Sequence, residues 1–178
     1  MPGQKEEVSM DQPEPAVGRV KLVVKEINLK QLHEMAENNY RSRDFTCSES
    51  VVKAIRDGLG LMLPDDIIAM ASGFSAGMGR AGCTCGAVVG GIMALGMIFG
   101  RTQGGDPKIK HVMALARELH DGFQKRHKVL CCRVLTKDLQ LGSPEHVDQC
   151  VCFTGEVAEE TARIIARELG IATLGDDE

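Results

Sequence analysis

The chain has 178 residues, 43% hydrophobic and 26% charged, with a net charge of −4, seven cysteines, twenty glycines, one tyrosine and no tryptophan. That length builds one ordinary domain whose core stands without staples. The acidic balance and the six aromatic residues (five Phe, one Tyr) argue against a nucleic-acid partner, which needs a basic footprint and rings on which bases stack. They also argue against a β-sandwich.

Residues 1–19 carry Pro2, Pro13 and Pro15 among scattered acids with no hydrophobic period, and read as a disordered tail. No apolar run follows Met1, so no cleaved secretory signal is expected and the chain is placed in the cytoplasm. Residues 20–174 read as a single helical domain. Its first stretch, Val20 to Ile27, fits a short strand or a helix lead-in equally well. Asn28 with Gln31 then opens a helix whose Leu29, Leu32, Met35 and Ala36 share a face. Thr46-Cys-Ser-Glu49 matches a capping box before Val51, Val52, Ile55 and Leu59, with Gly58 and Gly60 as a stop. Pro64-Asp-Asp-Ile-Ile opens a short helix that ends by Gly73, followed by a flexible glycine-rich loop to Gly82.

From Ala81 to Gly100 there is no charge, which is the length of a membrane span. Six of these twenty residues are glycine, and the strongly apolar part runs only from Val88 to Phe99. This fits a buried central helix better than a span. Pro107 starts a further helix, with Ile109, Val112, Met113, Ala116, Leu119 and Phe123 on its apolar stripe. A final helix carries Val157, Thr161, Ile164, Ile165 and Leu169, with Gly170 as its C-cap. The expected fold class is all-α: a compact helical bundle around a buried glycine-rich helix.

The seven cysteines fall at four places: Cys47, Cys83/Cys85, Cys131/Cys132 and Cys150/Cys152. Helical residues one or two apart point about 100° or 200° away from each other, so one cysteine from each place is the natural convergent set. Four thiolates suit an iron–sulfur cluster or a structural zinc. In a reducing compartment such a group points to metal or redox chemistry before a disulfide framework, and an odd number cannot fully pair. Cys47, Cys85 and Cys152 are each placed at a helix start, where free N–H groups favour a thiolate.

Other signals carry less. Gly77-Met-Gly-Arg-Ala-Gly82 spells GxGxxG, but a helical segment precedes it and no acid follows until Asp106, so a nucleotide site is not expected. His33, His111, His120, His127 and His146 are scattered and read as solvated or capping residues. Lys125-Arg-His-Lys128 reads as a charged helix end, with a docking patch for an acidic electron-transfer partner as the lesser reading. Arg80 and Arg133 are either surface charges or hydrogen-bond donors to cluster sulfurs. Glu156, Glu159 and Glu160 read as a solvated face. Gly86, Gly90 and Ala94 form a small-residue face on which a homodimer would pack.

Cys85-Gly-Ala-Val-Val-Gly90 lies after a glycine-rich loop, with Cys47 upstream in a Cys-Ser-x-x-Val setting, Cys132-Arg-Val-Leu135 downstream, and a last cysteine near an apolar helix. In these features the chain resembles the C_GCAxxG_C_C family of redox-active proteins, over roughly residues 30–170. The resemblance implies a redox role for Cys47, Cys85, Cys132 and Cys152, and an iron–sulfur centre held by these four. Cys83, Cys131 and Cys150 are additional, and Cys85 precedes Gly86 where the family name writes Gly before Cys. The expected function is electron transfer or redox sensing with an unidentified redox partner. The alternatives are a metal-free thiol–disulfide protein, in which the extra cysteines resolve disulfides, or a bundle locked by a structural zinc.

Overall fold

The computed structural model describes residues 24–175; the expected tail 1–19 lies outside them. Strand β1 (Glu26–Asn28) leads directly into α1 (Leu29–Arg41), followed by α2 (Cys47–Gly58) and the short α3 (Asp66–Ala69). A 3-10 turn at Ser72–Phe74 leads to the four-residue turn α4 (Ser75–Met78) and the central helix α5 (Gly86–Phe99). Then come α6 (Lys108–His127), the four-residue α7 (Cys132–Leu135), the long α8 (Pro144–Leu169) and β2 (Ala172–Leu174). The molecule is a helical bundle, as its sequence pattern predicts.

Helix α5 occupies the middle, against α2 on one side and α6 and α8 on the others, while α1 lies along α8 and α2. Its sequence explains the position. GAVVGGIMALGMIF has no polar stripe to offer water, so neighbours must cover it all round. Glycines let those neighbours come close. A Cβ at Gly90 would meet the backbone oxygen of Ser48 in α2 at 2.6 Å, and one at Gly91 would meet Thr161 of α8 at 2.6 Å. The small-residue face of Gly86, Gly90 and Ala94 is therefore occupied within the chain, with Ala94 fully buried. It presents nothing to a second copy. Among the described residues no helix is long and apolar enough to cross a membrane.

The caps are where the sequence places them. Asn28 accepts the Gln31 amide at 2.9 Å, and Glu49 accepts the Thr46 amide at 2.7 Å in the capping box of α2. Gly170 ends α8 in the left-handed region at φ 63°. Of the undecided first stretch, Glu26 and Ile27 lie in strand β1. β1 pairs in parallel with β2, Ile27 opposite Thr173, which fastens the entry to α1 beside the exit of α8.

Two local expectations are corrected. On α6 the inward residues include Leu115, Leu119 and Phe123, whereas Met113 is 63% exposed because it lies on the far side of the stripe. The acids of α8 are half-buried ion-pair partners, not a solvated face. Glu156 takes Arg126 and His127 of α6, and Glu159 takes His33 of α1 at 2.9 Å.

Candidate functional site

Four separate pieces of chain meet at the start of α5. Cys47 is the first residue of α2, set there by the capping box, and Cys85 is the N-cap of α5. Cys132 is the first residue of α7, and Cys150 lies in the second turn of α8. Their side chains line one cavity of about 700 Å³, along with Tyr40, Thr46, Ser72, Ser75 and His146. A short antiparallel bridge fixes two of the pieces to each other: Thr84 lies opposite Cys131, the Cys85 amide donates to the Leu130 carbonyl at 2.8 Å, and the Cys132 amide to the Cys83 carbonyl at 2.6 Å.

The loop expected to be flexible is a hydrogen-bonded turn of unusual hand. Five consecutive residues, Ala76 to Arg80, have φ between 52° and 69°. This is left-handed backbone, which costs an L-residue roughly 1–2 kcal/mol and comes freely only to glycine. Gly77 and Gly79 alternate with Ala76, Met78 and Arg80, so only three of the five carry that cost. The amides of Gly82 and Cys83 close the turn on the carbonyls of Ala76 and Gly77. Strain of this kind persists where surrounding structure over-determines it, and here that structure is the cysteine cavity. A Cβ at Gly77 would meet the Cys83 nitrogen at 2.5 Å and the Cys132 Cβ at 2.9 Å. One at Gly86 would meet the Cys47 sulfur at 2.5 Å and the Phe74 carbonyl oxygen at 3.0 Å. The order Cys85-Gly86 is thus imposed by packing, since position 86 faces the Cys47 thiol.

Burial pushes the Cys85, Cys132 and Cys150 thiols upward, Cys150 to about 12, and in each case Cys47 is the next cause. Cys47 is therefore the sulfur the other three share as a neighbour. The amides of Ala87 and Val88 at the start of α5 act against this at Cys85, and the Tyr40 hydroxyl acts against it at Cys150. Neither outweighs burial, so the expectation that a helix start would lower the thiol is overturned for Cys85. Tyr40 is itself driven up, by burial and then by Cys150. His146 is 8% exposed, with Nε2 3.9 Å from the Cys150 sulfur and no hydrogen-bond partner for Nδ1.

The cavity wall includes Arg43, Arg80 and Arg133 but no Asp or Glu. Glu49 lies just behind it, where hydrogen bonds from Ser72 and Thr46 overcome burial and hold its carboxyl below the ordinary value. A chain of hydroxyls continues inward, Thr46 to Ser75 to Ser48, and ends at the Ala71 carbonyl, 2.8 Å from Ser48 Oγ.

Of the four cysteines singled out in the sequence, the structure brings together Cys47, Cys85 and Cys132. Cys152 is exposed and outside the cavity wall, and Cys150 takes the fourth place. The reason is the start of α8. The helix begins at Pro144, capped by Ser143, so Cys152 lies inside it and does not precede it. Residues two apart then face opposite ways, and Cys150 turns inward. A usable signal was the i, i+4 pair His146/Cys150, which shares a helix face; Tyr40 carried no signal beyond being the lone tyrosine. GxGxxG follows no strand and forms the left-handed turn. As the side chains are placed, no three His, Cys, Asp or Glu among the described residues come together to hold a metal ion.

Fold and site together define a small, mostly helical protein with a cysteine-lined cavity at the start of its glycine-rich central helix. Residues 45–164 match the family described as "Putative redox-active protein (C_GCAxxG_C_C)", and the chain belongs to that family. No curated protein and no solved structure matches the chain.

Proposed function

We propose that Cys47, Cys85, Cys132 and Cys150 hold an iron–sulfur cluster and that the protein passes or senses electrons in the cytoplasm. The observation behind this reading is that one cysteine from each of four chain segments lines a single cavity free of carboxylates. A wall of thiols is a soft donor set, suited to iron–sulfur centres, zinc or cuprous ions. Four thiolates from four segments suit an iron–sulfur cluster or, as the alternative, a structural zinc.

Burial keeps the Cys85 and Cys150 thiols protonated and slow to react at neutral pH, whereas thiol–disulfide catalysts depend on lowered thiols. A bound cluster supplies one-electron chemistry at a potential that the protein tunes. The chain's own part is to hold and tune. Its sulfurs lose their protons to become ligands, the Tyr40 hydroxyl favours the Cys150 thiolate, and Phe45, Val147 and Phe153 keep the wall partly apolar.

Anaerobic purification followed by iron and acid-labile sulfide analysis tests this. Equal iron and sulfide with visible absorption is expected. A colourless protein after reconstitution, or stoichiometric zinc without sulfide, overturns it.

One observation favours a metal-free thiol–disulfide reading. With Thr84 opposite Cys131, Cys83 lies opposite Cys132. Directly opposed residues in an antiparallel pair sit about 5.5 Å apart at Cα, within disulfide range. Joining them removes two protons and two electrons, which an external disulfide would accept. Thiol titration of metal-free protein in mild oxidant, with peptide mapping, reads that pairing directly.

A further inference from the structure

The arginines around the cavity differ from most others in the chain. Among the described residues, Arg41, Arg56, Arg117, Arg126, Arg163 and Arg167 each lie within ion-pair distance of a carboxylate. Arg43, Arg80 and Arg133 do not, nor does the exposed Arg101 after α5, which is not on the cavity wall. Arg43 and Arg80 are exposed, and the Arg133 guanidinium donates only to the Ala81 carbonyl, at 2.7 Å. On a chain of net charge −4, three uncompensated guanidinium groups share the wall of a cavity that has no Asp or Glu. The alternative basic patch, Lys125 to Lys128, is partly neutralised, since Arg126 and His127 are bound to Glu156.

Apolar groups lie beside these charges. Leu141 on the cavity wall is 65% exposed, Met78 beside the left-handed turn 42%, and Val134 next to Arg133 45%. Arginine and methionine are enriched at protein interfaces, and a cationic patch on an acidic protein steers an acidic partner into one orientation. Nucleic acid fits less well, because the cavity offers little ring surface for stacking beyond Tyr40, Phe45 and Phe153.

We propose that the mouth of the cysteine cavity, ringed by Arg43, Arg80 and Arg133, is the docking surface for an acidic partner protein that exchanges electrons with the site. This rests on the redox reading above and adds the charge class of its partner. Docking here places the partner over Cys132 and Cys150, and leaves Cys152 free.

The probe is a fluorescein-labelled deca-glutamate peptide, titrated into the full chain and followed by anisotropy. Binding at low salt is expected, weakened at least about tenfold at ionic strength of about 0.15 M, where the Debye length is about 8 Å. In metal-free protein the bound peptide slows alkylation of Cys132 and Cys150 but not of Cys152. Arg43→Glu, Arg80→Glu and Arg133→Glu together abolish binding and protection, while the three Arg→Lys changes keep both. Circular dichroism and melting of each variant confirm that it is folded. The proposal is overturned if deca-glutamate does not bind, if the charge-reversed protein binds it equally, if protection falls on Cys152, or if an oligothymidylate of equal charge binds more tightly. Iron and sulfide content decides the redox reading independently, so either can fail alone.

Discussion

At the scale of single residues, the site turns on which sulfur of a pair points inward. Cys150 and Cys152 are equivalent in the amino-acid sequence but opposed in the helix, one on the cavity wall and one exposed. Cys150→Ser is therefore expected to remove most bound iron, and Cys152→Ser to leave the iron-to-protein ratio unchanged when both are purified anaerobically. Equal loss in the two variants would return the fourth ligand to doubt. Gly86 gives a second prediction. A methyl there meets the Cys47 sulfur at 2.5 Å and the Phe74 carbonyl at 3.0 Å. Overpacking of this kind costs about 1–3 kcal/mol. Gly86→Ala should lower the unfolding free energy in urea by that amount and impair metal uptake, because it displaces Cys47. The cysteine inventory and the glycine after Cys85 were legible in the chain. The inward choice at 150/152 was not, since it depends on where α8 begins. Pro144 and Ser143 supply that information only once the helix is known to start there.

At the scale of elements, the left-handed turn is the least expected part. Its glycines suggest freedom, yet they allow one fixed backbone to pack beneath α7. Gly77 and Gly79 both have positive φ, 69° and 62°, but only Gly77 is crowded, by the Cys83 nitrogen and the Cys132 Cβ. Gly79→Ala should cost about 1–2 kcal/mol, the penalty for left-handed backbone alone. Gly77→Ala should cost more and shift Cys132. Urea denaturation separates the two, and alkylation of Cys132 in the metal-free protein reports the displacement. If the two substitutions cost the same, the turn is not packed as described. Helix periods and caps made α1, α2, α6 and the C-terminal part of α8 readable in advance. A run of positive φ has no such period, because its stability comes from the carbonyls of Ser75, Ala76 and Gly77 that it bonds to.

At the scale of the whole molecule, the buried thiols couple folding to pH. Cys150 is raised from 9.0 to about 12 by burial first and Cys47 second, and Cys85 and Cys132 are raised as well. The metal-free folded chain holds these protons more tightly than the unfolded chain does. Their stabilisation is thus full below pH 9 and lost as pH climbs towards 12. Thermal melting of metal-free protein should show Tm falling across that window, with Cys150→Ser flattening the fall. Metal binding must displace the same protons, so uptake should strengthen with rising pH. Absorbance from cobalt–thiolate bonds, titrated at several pH values, measures this.

The amino-acid sequence by itself determined the helical class, the main helices with their caps except the start of α8, the buried character of α5 and four places where cysteines fall. These are properties of local pattern: apolar spacing, capping residues and the absence of charge from residues 81–100. Tertiary structure decided which cysteine of the last pair faces the cavity, that the small face of α5 meets α2, and that Arg43, Arg80 and Arg133 share one wall. Each of those depends on contacts between segments far apart in the chain, and no local period encodes a direction in space.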